Sequence, residues 1–426
     1  MRRHQQGAIT MYSSNDISII RDLCKRYMEI ATSEKHVKMR KRFLDVNDLK
    51  VVRPPLIIEE IPWEQMNYEH FLDCKCENSE LRGMEYGLRV ALFREKYFKC
   101  DNYIEPYWVV YKSYSSTGNG IDNLCREEVR DGLHTTIKSH QYKDVLEDES
   151  SLEAFHLPVI TAYPEKDEYN VNHIKEIVGD TIPVILRGHG IYHAPWDRIA
   201  RLRGVQPILY DMYDRPEYLL KIRQLYADAY KSEMDQMDAL GLYEGNGSLP
   251  TLHCTPGYFT VPENAPNGGK GLGGTWYRTM AQMFSTVSPD DLYEFDVRFS
   301  LDLAQRCAYT YYGCCEPLYD RIHIIKRFPN LRKIGVSPWS DVEISAREIR
   351  GDYVFSRKPN PAFVAIKVDP GQVRKEAEET VKACLKYGCP CDITLKDIST
   401  VGDRPENLII WAQTVSDVLD EYYGKE

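Results

Sequence analysis

Residues 308–339 read AYTYYGCCEPLYDRIHIIKRFPNLRKIGVSPW. Two short runs, 308–317 and 331–339, begin in aromatic, β-branched or aliphatic residues and end in polar ones. Their hydrophobicity is continuous and not alternating, the pattern of strands covered on both faces, as in a parallel sheet flanked by helices. Working outward, the same kind of run recurs at 55–61 (PLIIEEI), 103–112 (YIEPYWVVYK), 182–188 (IPVILRG), 240–245 (LGLYEG), 353–361 (YVFSRKPNP) and 391–399 (CDITLKDIS).

Helix-like stretches lie between these runs. Residues 215–240 open Arg-Pro-Glu behind Asp214, 288–309 open Ser-Pro-Asp-Asp, 369–387 open Asp-Pro-Gly and stop at Gly388, and 404–423 come last. A cap followed by proline and acids suits a helix start, and glycine suits a helix end. Eight strands alternating with helices predict an α/β protein with a (β/α)₈ TIM-type barrel over 51–426 and an N-terminal helical extension over 1–50. An open doubly wound sheet shares this rhythm, but no Gly-x-Gly-x-x-Gly turn follows any strand. Two insertions, 113–181 after the second strand and 246–287 after the fourth, would emerge at the C-terminal ends of the strands.

A net charge of −10 opposes binding to a phosphate backbone, so nucleic acid is excluded as a partner. No apolar run approaches the ~18 residues of a membrane span, and no apolar segment follows the basic N-terminus as a secretory signal requires. Twelve cysteines without such a signal are expected as reduced thiols in a cytoplasmic protein.

In a barrel, chemistry belongs to the C-terminal strand ends. These ends carry Glu105 and Tyr107, Arg187, His189 and His193, Asn246, Cys314-Cys315-Glu316, Trp339, Arg357-Lys358, and Lys396-Asp397. Buried charges without partners are costly, so such a ring must pair internally, face water or bind something. Cys314, Cys315 and Glu316 are the sharpest group, because thiols and a carboxylate suit zinc; His253, beside Cys254, is a further donor. Buried free cysteines are also common core residues. Cys389 and Cys391 fall at the start of the last strand and read as structural.

Several segments together carry a resemblance: YGCCEPL (312–318), VSPWSD (336–341), YVFSRKPNP (353–361), LKDISTV (395–401), IEEIPW (58–63) and DNYIEPYW (101–108). Over about residues 40–425 the chain resembles the uroporphyrinogen decarboxylase superfamily, in the branch grouped with corrinoid-dependent methyltransferases. The Arg-Gln-Ala-Gly-Arg stretch of true uroporphyrinogen decarboxylases is absent. Zinc-dependent members carry His-x-Cys after strand five and a cysteine near strand eight. Here Gly313-Cys314-Cys315 and Lys396-Asp397 stand in those places, with Cys315 matching the first cysteine. The resemblance implies methyl transfer between a small methylated compound, as donor or acceptor, and a corrinoid. No cobalamin-binding Asp-x-His-x-x-Gly occurs, so the corrinoid is expected on a small partner protein. Glu105, Glu316, Asp397, Lys396 and His189 are then candidates for catalysis. Arg187, Arg357, Lys358, Trp339, Tyr107, His193 and Asn246 are candidates for substrate binding, and Cys315, Glu316, Cys314 and His253 for zinc. Two other classes fit the superfamily: a decarboxylase or lyase acting on a small carboxylic acid, and a non-catalytic corrinoid- or tetrapyrrole-binding barrel.

Overall fold

The computed structural model describes residues 12–130, 139–243 and 270–425. Its strands, in chain order, are β1 (Leu56–Ile58), β2 (Trp108–Tyr111), β3 (Tyr114–Ser116), β4 (Glu127–Arg130), β5 (Ser139–Tyr142), β6 (Ile160–Ala162), β7 (Val184–Arg187), β8 (Ile191–His193), β9 (Trp276–Thr279), β10 (Tyr309–Tyr312), β11 (Leu331–Val336), β12 (Val354–Arg357) and β13 (Cys391–Leu395). Seven form one parallel sheet in the order β1-β13-β12-β11-β10-β9-β8. A separate parallel pair joins β2 to β7. The segment 184–193 supplies a strand to each, so the ladders run from β2 through that segment to β9–β13 and on to β1. Antiparallel pairs β3–β6 and β4–β5 fill part of the first insertion.

One expected strand is replaced. Residues 240–245 were expected as the fourth strand, but among the described ones, 240–243, only Tyr243 pairs, in a single parallel bridge to His189. The chain there is still finishing the helix Pro216–Ala239: Leu240 N–H bonds Gln236 O at 2.9 Å, Leu242 N–H bonds Met237 O at 2.8 Å, and Gly241 has φ +63°. Amides used in a helix cap are not available to a sheet. The strand in the fourth place is β9, inside the stretch read as the second insertion.

Two helices follow the capping signals; Asp214 does not cap the next helix, because it ends the helix Val205–Asp214 and Arg215 stands at the N-cap without a side-chain bond. Asp369 accepts from Gly371 N–H at 2.9 Å, and Gly388 ends the helix Pro370–Tyr387 with φ +70°. Ser288 caps Pro289–Phe295 through Asp291 N–H at 3.1 Å. The helix expected over 288–309 stops there because Asp296 leaves helical geometry, at φ −130° and ψ −65°. Its buried carboxylate meets Tyr312 OH at 2.9 Å and lies 3.6 Å from Arg223 Nη2. Tertiary pairing overrides propensity at that residue.

The N-terminal extension holds two helices, Ser14–Ala31 and Glu34–Asn47. The second lies across the N-terminal strand ends. Met39 and Phe43 pack on Ile57 and Tyr103, Arg42 and Arg53 meet Asp101, and Asn47 O accepts from Arg332 Nη1 at 3.2 Å. No helix among the described residues is long and apolar enough to cross a membrane.

Candidate active site

Strand alternation sorts the side chains of β9–β13. Tyr277 and Tyr312 face the helices, where Tyr277 meets His193 and Tyr312 meets Asp296. On the inner face lie Trp276, Tyr309 and Tyr311, which pack together, with Arg278, Lys333, Ser356 and Asp392. That face is charged and buried. Lys333 Nζ donates to Asp392 Oδ2 at 2.7 Å, and Ser356 Oγ donates to Asp392 Oδ1 at 2.6 Å. Lys358 Nζ donates to Ser356 Oγ at 2.7 Å and to Tyr311 OH. Burial pushes the Lys358 ammonium down to about 7, against the pull of Asp392.

At the C-terminal end of the sheet three strand ends converge. Gly313 leaves β10 at φ +103°, back to back with Gly335 of β11. A Cβ on Gly313 would sit 2.5 Å from Leu318 Cδ1, and one on Gly335 would sit 2.9 Å from Gly313 C. Only glycine permits this backbone approach and this turn. The turn then presents Cys314, Cys315 and Glu316. Cys315 Sγ lies 3.1 Å from Lys396 Nζ and 3.1 Å from Asp397 Oδ2, both at the end of β13, and 3.6 Å from Cys314 Sγ. Lys396 and Asp397 are themselves ion-paired. Asp397 N–H donates to Glu60 Oε2 at 2.9 Å, which ties in β1. Asp397 and Glu60 both have positive φ, +58° and +52°, a conformation non-glycine residues rarely hold.

Glu316 is fully buried. Its Oε2 accepts from Cys314 N–H at 2.9 Å, and its Oε1 has no hydrogen-bond partner among the described residues. Burial and then the Cys314 sulfur push its carboxyl up to about 7. The Cys314 thiol beside it and burial push the Cys315 thiol far up. Burial works to raise Asp397, but Lys396, Cys315 and Glu60 outweigh it and hold the carboxyl low.

The structure thus brings together Cys314, Cys315, Glu316, Lys396 and Asp397, with Lys358 on the same inner face. It places other candidates elsewhere. Arg187 is locked by Glu105 at 2.7 and 3.2 Å and by Tyr107 OH at 2.7 Å, a closed cluster. Arg357 turns to the helix layer, bonding Ser337 O at 2.6 Å and Glu376 Oε1 at 3.0 Å. His193 is buried, stacked on Tyr230 at 3.8 Å, and held neutral by burial. His189 Nε2 meets Lys112 O at 2.7 Å between Tyr111 and Tyr114. Trp339 is 68% exposed. Asn246 and His253 lie outside the described residues. Cys389 and Cys391 are buried at the start of β13. Surface clefts of 520 Å³ beside Tyr12 and Arg21 and of 690 Å³ beside Asp341 and Lys386 include none of Cys315, Glu316, Lys396 or Arg278.

Sequence reasoning missed Arg278. An arginine inside the aromatic run Trp276-Tyr277-Arg278 was the available signal, hidden because β9 was read as loop. For zinc, the described donors do not fit. No three His, Cys, Asp or Glu among the described residues gather as a metal needs, and the Lys396 ammonium already bonds the Cys315 sulfur.

No family model matches the chain, and no curated protein matches it. Among solved structures it is similar to a methyltransferase from Methanosarcina mazei, at 13% identity and a TM-score of 0.47, over 90% of this chain and 99% of that one.

Proposed function

We propose that the chain is a methyltransferase, moving a methyl group from a small methylated compound to a corrinoid carried by a separate small protein in the cytoplasm. The strands in this reading close as a (β/α)₈ barrel, in the order β1, β2, the segment 184–193, then β9 to β13. The active site is the meeting of β1, β10 and β13 at the C-terminal ends, where barrels of this kind do their chemistry.

The observation that carries the reading is Glu316: a buried carboxyl, pushed up to about 7, with Oε2 on Cys314 N–H and Oε1 without a hydrogen-bond partner among the described residues. Breaking a methyl–oxygen or methyl–nitrogen bond leaves the electron pair on the heteroatom, which must take a proton. Glu316 holds that proton near neutral pH and can give it as the methyl passes to the reduced corrinoid. Such general acid catalysis contributes roughly 10²–10⁴-fold. Lys396 and Asp397 fix the Cys315 thiol at the edge of the site. Zinc enters no step.

A second reading, a decarboxylase or lyase acting on a small carboxylic acid, is favoured by the buried cations Arg278, Lys333, Lys358 and Lys396 along the inner face. Incubation with chemically reduced cobalamin and ¹³C-methyl ethers, methylamines and betaines tests the two together. The expected result is label on cobalamin, slowed about 100-fold or more by Glu316→Gln. Carbon dioxide released from an acid without cobalamin would put the lyase in its place. Cobalamin binding with no turnover of any donor would leave only a binding barrel.

A further inference from the structure

We infer that Arg278 is the anchor for a small carboxylate, so that the compound turned over at the strand ends is an acid. The inference rests on the reading of those ends as an active site and names its substrate class.

Arg278 is wholly buried on β9. Its Nη1 donates to Thr279 O at 2.9 Å, which pins one end of the guanidinium to its own strand. The Tyr311 ring lies 4.3 Å from its centre and the Tyr192 ring 6.0 Å. The plane is therefore held before any ligand arrives, which lowers the ordering cost of binding. Nε and Nη2 have no hydrogen-bond partner among the described residues. Those two atoms form the side edge of the fork, and their parallel N–H bonds match the two oxygens of one carboxylate.

A guanidinium cannot shed its proton inside a protein, so an unpaired one stays a buried charge. Other buried arginines of this chain have their acids. Arg187 has Glu105, Arg357 has Glu376, and Arg223, which also leaves two nitrogens unbonded, has Asp296 at 3.6 Å. Among the described residues no carboxylate lies within ion-pair distance of Arg278. Lys358, on the same buried face and bonded to Ser356 Oγ at 2.7 Å, is a further cation in its surroundings. Thr394 Oγ1, on the same side of β13 as Asp392, is a buried hydroxyl without a hydrogen-bond partner among the described residues.

The test is a melting and calorimetric titration of the full chain with sodium acetate, acetamide and sodium phosphate at constant sodium chloride, without methyl donor or cobalamin. Acetate is expected to raise the melting temperature and acetamide to leave it unchanged. Arg278→Met is expected to fold, to melt no lower than the parent, and to bind acetate at least tenfold more weakly. Should Arg278→Met not fold, Arg278→Lys, which keeps the charge and loses the fork, carries the same tenfold expectation; loss of fold in both would make the arginine architectural and overturn the assignment. Indifference to acetate, equal affinity in the variant, or preference for phosphate would overturn it as well. No turnover is read, so a failure of methyl transfer leaves this result standing.

Discussion

Two buried arginines stand on neighbouring parts of the same sheet system and are treated in opposite ways. Arg187, at the end of β7, spends its fork on both oxygens of Glu105 and on Tyr107. Arg278, inside β9, has one hydrogen bond to its own strand and two nitrogens without a hydrogen-bond partner among the described residues. The first is a finished cluster, in which every charge has an answer within the fold. The second, with the unpartnered Glu316 oxygen at the end of β10, is unfinished. Finished clusters hold the architecture, and unfinished ones mark where something else is meant to arrive.

Substitution should separate the two most sharply in stability. Glu105→Ala strands a buried guanidinium that was paired and is expected to cost about 3–5 kcal/mol, read as a fall in the urea midpoint. Arg278→Met removes a charge with no carboxylate within ion-pair distance among the described residues, Glu316 acting on it only from farther off, and should be neutral or stabilising by that same measurement. Equal losses would erase the distinction between the clusters.

Glu316 sharpens the comparison through pH. Its folded value of about 7 lies above the unfolded 4.5, so the folded state binds the proton more tightly. The stability it contributes is fully present below pH 4.5, falls as pH rises through 7, and levels off above, a loss of about 3 kcal/mol. Denaturation curves from pH 4 to about pH 8.5, wild type minus Glu316→Gln, should trace that decline. A flat difference would remove Glu316 from the unfinished set.

The cysteines divide along the same line with a smaller effect. Cys389, buried with its sulfur 3.3 Å from Ala346 O, belongs to the architecture. Cys389→Ser should cost about 1–3 kcal/mol and leave turnover of the folded enzyme near wild type. Cys315→Ser should do the reverse, keeping the melting curve and losing activity. Smallest of all is Gly388→Ala, where a Cβ meets nothing within 4 Å and only the left-handed turn is strained, at about 1 kcal/mol in the same melts.

The strands of the C-terminal half were legible because continuous apolar runs and capping signals are local. The group Cys314–Glu316 and the pair Lys396–Asp397 were legible as strand ends for the same reason. β9 was not: its four residues follow a long glycine-bearing stretch, while the competing run at 240–245 has better composition but begins in a helix cap at 240–242. Nor could the sequence say that Arg187 belongs to Glu105 or that Arg357 turns to Glu376. Both pairings are decided by which face of a strand meets which neighbour. Arg278 was hidden by the first failure, and its open edge is visible only once every neighbour is in place.

The helix Glu34–Asn47 seals the N-terminal ends of the strands, with Met39 and Phe43 against Ile57 and Tyr103. In the barrel proposed above, that helix would close the base and leave the C-terminal strand ends as the way in. A carrier docking there to collect a methyl group would also bar the way for the spent donor, so traffic would take turns. The pace of such an enzyme would be set at the door, by how quickly the carrier departs, and not by how quickly the bond inside is broken.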